Sequence, residues 1–124
     1  MRLLPLTLLV VCCYAHAEWQ SFVIQTDGKH LFADWGTVEK IGVTKRIWVL
    51  ENYAEAENRL LSTTTLIEIH CREKKVRPLQ QYWHTEHFGE GENITPKDIM
   101  LDSDGNFPRP QTALYKLILK VCKK

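Results

Sequence analysis

The chain reads as a single α+β domain, an antiparallel β-sheet of about six strands with a C-terminal α-helix packed on it and one sheet-to-helix disulfide. Three observations predict this. Residues 63–72 alternate in period two, with Thr63, Thr65, Ile67, Ile69 and Cys71 on one side. Leu114, Leu117, Ile118, Val121 and Cys122 recur at helical spacing. Cys71 and Cys122 thus extend the apolar rows of a strand and of a helix. The composition agrees: 124 residues, 44% hydrophobic and 25% charged, suit one globular core and exclude a disordered or collagen-like chain.

The start of the chain sets the compartment. Met1-Arg2 supplies a positive charge, residues 3–14 an apolar stretch, and Ala15-His16-Ala17 small residues three and one before a cut. Residues 1–17 therefore read as a secretory signal peptide and 18–124 as the exported domain, periplasmic or secreted. The apolar run of roughly a dozen residues falls short of the about 20 that a membrane helix needs, so no integral span is expected. Lipid anchoring is not expected either, because Cys12 follows Val11 where a lipidation site takes a small residue. With 16 Lys and Arg against 15 Asp and Glu, no positive excess exists to drive nucleic-acid binding.

Residues 19–24 are aromatic and β-branched, and Asp27-Gly28 turns the chain into a second strand over 29–35. Gly36 and Gly42 bracket a further strand at 37–41, and 44–53 carries Ile47-Trp48-Val49-Leu50, suited to a strand buried on both faces. Residues 51–61 lack a clean apolar face and read as a connecting loop that interrupts the sheet. After the strand at 63–72, residues 75–84 form another, where Pro78 marks an edge position or a bulge. Gly89 and Gly91 open a long loop, and the prolines and the Asp102-to-Asn106 turn keep 93–109 irregular. The helix follows from 110–112, with Lys120, Lys123 and Lys124 in its last turn, where cations suit the helix dipole.

Once the leader is removed, two cysteines remain in a compartment where thiols oxidise, and they are expected to pair. A bridge closing a loop of about 50 residues stabilises a domain by about 4 kcal/mol.

The segments Ile47-Trp48-Val49-Leu50-Glu51-Asn52-Tyr53 and Ser62-Thr63-Thr64-Thr65-Leu66-Ile67-Glu68-Ile69-His70-Cys71 are followed by a basic run to Arg77, aromatics, Gly-x-Gly and a C-terminal cysteine. In this order, from about Trp19 to Cys122, the chain resembles the surface-adhesin protein E family of small exported bacterial proteins. The resemblance implies an antiparallel sheet bridged to a C-terminal helix, and binding rather than catalysis. Members named as adhesins bind host extracellular-matrix proteins.

Binding candidates are Lys74, Lys75 and Arg77 beside Tyr82 and Trp83, cations and aromatics on an edge strand, where the family also carries its basic run. The same charges equally serve to protect a sheet edge. His70, His84 and His87 are an alternative metal or haem set, although their spacing does not bring three rings together on one element. Asp102-x-Asp104-x-Asn106 starts like a calcium loop but has Phe107 and Ala113 where Gly and Glu belong, so it reads as a turn. Asn93-Ile94-Thr95 is a glycosylation sequon without consequence in a bacterial chain. No nucleophile motif, zinc-protease motif or phosphate loop appears, and oxidised cysteines are poor nucleophiles, so neither catalysis nor a cofactor is expected. The expected function is non-covalent binding of another protein, of the envelope or of the host exterior, and an exposed edge strand is compatible with a homodimer. The alternatives are a periplasmic metal- or haem-binding protein and a structural accessory of an envelope complex.

Overall fold

A computed structural model describes residues 2–10 and 17–123. The leader cysteines Cys12 and Cys13 and the cleavage-site residues Ala15 and His16 lie outside the described residues. Residues 2–10 form no regular element, and Leu3, Leu4 and Leu6 there are exposed.

Five strands, β1 (Gln20–Ile24), β2 (His30–Ile41), β3 (Thr44–Glu57), β4 (Leu60–His70) and β5 (Lys75–His84), form one antiparallel meander in sequence order. The helix α1 (Ala113–Val121) follows. The sheet therefore has five strands where about six were expected, and the difference lies in β2. Gly36 does not end that strand. The register shifts between Asp34 and Glu39, and Thr37 Oγ1 accepts the Trp48 N–H at 3.2 Å in place of a backbone carbonyl. A bulge absorbs the glycine, and the segment at 37–41 continues the same strand.

The loop expected at 51–61 is likewise absent. β3 runs to Glu57 and β4 starts at Leu60, with only Asn58 and Arg59 between, at φ 48° and 70°. Both central residues are left-handed, the geometry of a two-residue hairpin turn whose twist matches its strands. The polar run at 54–59 is the exposed tip of a long hairpin, which is why it lacks an apolar face. Pro78 in β5 takes both roles expected of it, since β5 is an edge strand and its register against β4 shifts at Leu66 and Ile67.

One face of the sheet packs on α1. Ala33, Ile47, Ile67, Ile69 and Val76 meet Leu117, Ile118 and Val121 in a core where Ala33, Ile47, Ile69 and Leu117 are fully buried. Thr112 caps the helix, its Oγ1 accepting the Tyr115 N–H at 3.3 Å, and Lys45 Nζ donates to Val121 O at 2.9 Å, so a lysine of β3 meets the negative end of the dipole. The Cys71–Cys122 disulfide joins the end of β4 to the end of α1, with Cα atoms 5.5 Å apart. The outer edge of β5 is covered at both ends: Val76 and Asn106 exchange backbone hydrogen bonds, and Ile94 N–H donates to Trp83 O. Pro78 supplies no N–H between them, which blunts this edge against further pairing.

Candidate binding face

Alternation leaves every second side chain of the strands on the face away from α1. That face splits into two halves. Its upper half lies under the turn that includes the 3-10 segment His87–Gly89. The Phe88 N–H donates to Asn52 Oδ1 at 2.9 Å, the Gly89 N–H donates to Ser62 Oγ at 3.0 Å, and the Phe88 ring meets Phe32 edge-on at 5.2 Å. Gly89 has φ 71°, and a Cβ there would sit 3.1 Å from the Thr64 methyl, so this approach requires glycine.

Among the described residues the lower half has no such turn over it, and only residues 17–19 approach it, beside Trp48 and Tyr82. Glu68, 5% exposed, stands opposite Arg46 on β3 and Arg77 on β5. Its carboxylate accepts from Arg77 Nη2 at 2.9 Å and from Arg46 Nη2 at 3.4 Å, and His70 Nε2 lies at 3.4 Å. One buried acid thus fixes two arginines in a row across three strands, an arrangement of rigid cations. Next to it, Trp48 and Tyr82 lie 6.0 Å apart with planes 18° from parallel. They wall a cleft of about 570 Å³ that Trp19 and Asp34 also line.

The helix face carries a second hollow of about 620 Å³ beyond the N-terminal end of α1, between β3–β5 and the returning chain at 106–114. Val49, Ile67, Pro78, Trp83 and Leu114 give it apolar walls. Glu51 and Tyr53 line it too. Burial pushes the Glu51 carboxyl and the Tyr53 hydroxyl above their usual ranges, and Lys29 Nζ, 3.6 Å from Glu51, only partly offsets this for the acid. Attraction to Glu51 in turn raises Lys29.

The five candidate residues divide between these surfaces. Arg77 and Tyr82 lie on the face away from α1, in register with Glu68 and Thr64. Lys74 and Lys75 sit at the end of the β4–β5 hairpin: Lys74 turns toward the helix, its Nζ donating to Tyr115 Oη at 3.2 Å, while Lys75, opposite His70 and in phase with Arg77, lies with Nζ 5.7 Å over the Phe107 ring. Trp83 lines the hollow beyond α1, its Nε1–H donating to Gln81 Oε1 at 2.9 Å. Trp48, Asp34, Arg46 and Glu68 were not singled out by sequence. The available signal was an acid between apolar neighbours, Asp34 between Ala33 and Trp35 and Glu68 between Ile67 and Ile69.

His70 pairs with Lys75 at one end of the β4–β5 ladder and His84 with Ser62 at the other. The rings of His84 and His87 are engaged, with Thr64 Oγ1 at 2.9 Å and Tyr53 O at 2.8 Å. Among the described residues no group of three or more His, Cys, Asp or Glu side chains is arranged to hold a metal. Burial lowers the His84 pKa, so the folded state resists its protonation while the unfolded chain does not. Its contribution to stability is therefore full above the unfolded value and is lost as pH falls from about 6.5 toward the lower folded value. Urea melts between pH 8 and about pH 5 will show the wild type losing more stability on acidification than His84→Gln.

By sequence, the chain matches the family Surface-adhesin protein E over residues 19–123. No curated protein matches it. Among solved structures, crystal form II of Haemophilus influenzae protein E is similar at a TM-score of 0.68 and 14% identity, covering 88% of this chain and 90% of that one. Protein E from non-typeable Haemophilus influenzae is similar at a TM-score of 0.58 and 13% identity, over 86% of this chain and 85% of that one. These likenesses show a shared fold. Among the described residues no helix is long and apolar enough to cross a membrane.

Proposed function

Because this chain belongs to the surface-adhesin protein E family, we propose that it is an exported protein of the bacterial envelope that binds another protein without covalent chemistry, through the uncovered half of the sheet face away from α1. The observation that carries this reading is the composition and rigidity of that half-face. Trp, Tyr and Arg are the residues on which interface energy concentrates, and here Trp48, Tyr82, Arg46 and Arg77 stand together on a sheet with both arginines held by one buried acid. Side chains fixed in advance lose little entropy when a partner arrives.

Lys75 borders this surface, Lys74 stands at the adjoining hairpin end, and both steer an acidic partner toward it. Trp83 lies on the other face and is assigned to the hollow beyond α1. Removal of 1–17 after Ala17 delivers the domain to the periplasm or the exterior. Adhesion to host matrix proteins is the finer form of the proposal and requires display outside the cell. A second copy would pair along β1, the edge that the returning chain leaves open.

The test is capture by the purified, oxidised domain from envelope extracts and from a panel of purified matrix proteins. A specific partner should be retained by the wild type. The double variant Trp48→Ala/Tyr82→Ala should weaken that capture by about tenfold or more, and charge reversal at Lys74, Lys75 and Arg77 should slow association and remove most of its salt dependence. Capture that survives both sets of changes would remove this face from the account.

A further inference from the structure

Two carboxylates among the described residues are buried to about the same depth, with opposite surroundings. Glu68 is met by Arg46, Arg77 and His70. Among the described residues, Asp34, also 5% exposed, has no Lys, Arg or His nitrogen within ion-pair distance, and its carboxylate accepts one hydrogen bond there, from the Gly36 N–H at 3.2 Å. A buried anion without a cation is costly, and β2 is built to keep this one in place. The bulge at 34–39 has Thr37 Oγ1 donating to Asp34 O at 2.7 Å while accepting the Trp48 N–H, which locks Asp34 opposite Trp48.

What Asp34 faces is the cleft of about 570 Å³ walled by Trp19, Trp48 and Tyr82, with Ala17 and Glu18 also lining it. Two acids and three electron-rich ring faces attract a cation, and the nearest basic side chains of the adjoining row, Arg46 and Arg77, are committed to Glu68. We propose that this cleft receives an arginine side chain of the protein partner, the guanidinium meeting the Asp34 carboxylate and stacking on the near-parallel rings of Trp48 and Tyr82. A planar guanidinium can do both at once, and it leaves water more readily than an ammonium, so arginine is preferred over lysine. The inference rests on the binding reading above and names the group that the partner must present.

The test uses the oxidised exported chain, labelled so that the Trp48 indole and the Asp34 amide are followed by NMR. The probes are acetyl-Gly-Arg-Gly-amide and its lysine and citrulline counterparts, citrulline being the neutral isostere of arginine. The arginine peptide should shift both signals saturably, and the citrulline peptide should bind about tenfold more weakly or less. Asp34→Asn should abolish the difference between the two, whereas Tyr82→Ala should weaken both and keep it. The comparison of peptides on the wild type needs no variant to fold. Equal binding of arginine and citrulline, or no shift up to about 10 mM peptide, would overturn the inference. So would an α-ammonium of Glu18 whose titration depends on Asp34 in a protein that ignores the arginine peptide, for then the cleft serves the chain's own processed end. If the peptide fails while capture still depends on Trp48 and Tyr82, only this inference falls. If the peptide binds and capture ignores the face, the reading of the face falls.

Discussion

The double variant Cys71→Ala/Cys122→Ala will lose about 4 kcal/mol of unfolding free energy, a large share of the roughly 5–15 kcal/mol that a small domain possesses. The bridge spans a sequence separation of 51, so cutting it returns much loop-closure entropy to the unfolded chain. The local consequence follows from the helix itself. At nine residues α1 is too short to hold its structure alone, and it persists because Leu117, Ile118 and Val121 are pressed into the sheet while Cys122 fixes its end. Urea unfolding should give the loss, with a slope somewhat steeper than the wild type's because the uncrosslinked unfolded chain exposes more surface, and amide exchange should place the earliest opening in 113–122. A stability within about 1 kcal/mol of the wild type would mean that apolar packing alone seats the helix.

Glu68→Ala is expected to cost about 2–3 kcal/mol, somewhat less than the 3–5 kcal/mol typical of breaking a fully buried pair. The discount arises because Arg46 and Arg77 keep side-chain exposures of 35% and 40%, so water screens them once the acid is gone. The buried Nε atoms of both arginines have no hydrogen-bond partner, and loss of Glu68 would leave the two cations facing one another across β4 with little to hold them. The triple change Glu68→Leu/Arg46→Met/Arg77→Met should recover most of the lost stability, since removing all the charges removes the desolvation cost as well. It should nevertheless lose partner capture. That separation, stability regained without binding, distinguishes a rigid recognition element from a merely structural ion cluster.

The elements of the fold were largely legible because their signals are local. The strand around Ile67 and Ile69 and the helix around Leu117 and Ile118 announce themselves by period, and the disulfide follows once both cysteines fall on apolar rows. The two misread stretches share a cause. Gly36 lies inside a bulge, and Asn58-Arg59 turn within a hairpin whose arms extend into solvent, so glycine and polarity mark irregular pairing there and not the end of a strand. The site was harder to read because it depends on which strands become neighbours. Arg46 and Arg77 are 31 positions apart and meet only through Glu68 of the strand between them. Tyr82 and Trp83 are adjacent in sequence and therefore point to opposite faces, so a basic run beside two aromatics could not form one patch.

Chemical-shift mapping of the labelled domain against its captured partner tests the binding face most directly. The largest shifts should fall on Trp48, Tyr82, Arg46 and Arg77. Shifts confined to Val49, Trp83 and Leu114, around the hollow beyond α1, would contradict the account and move recognition to the other side of the sheet.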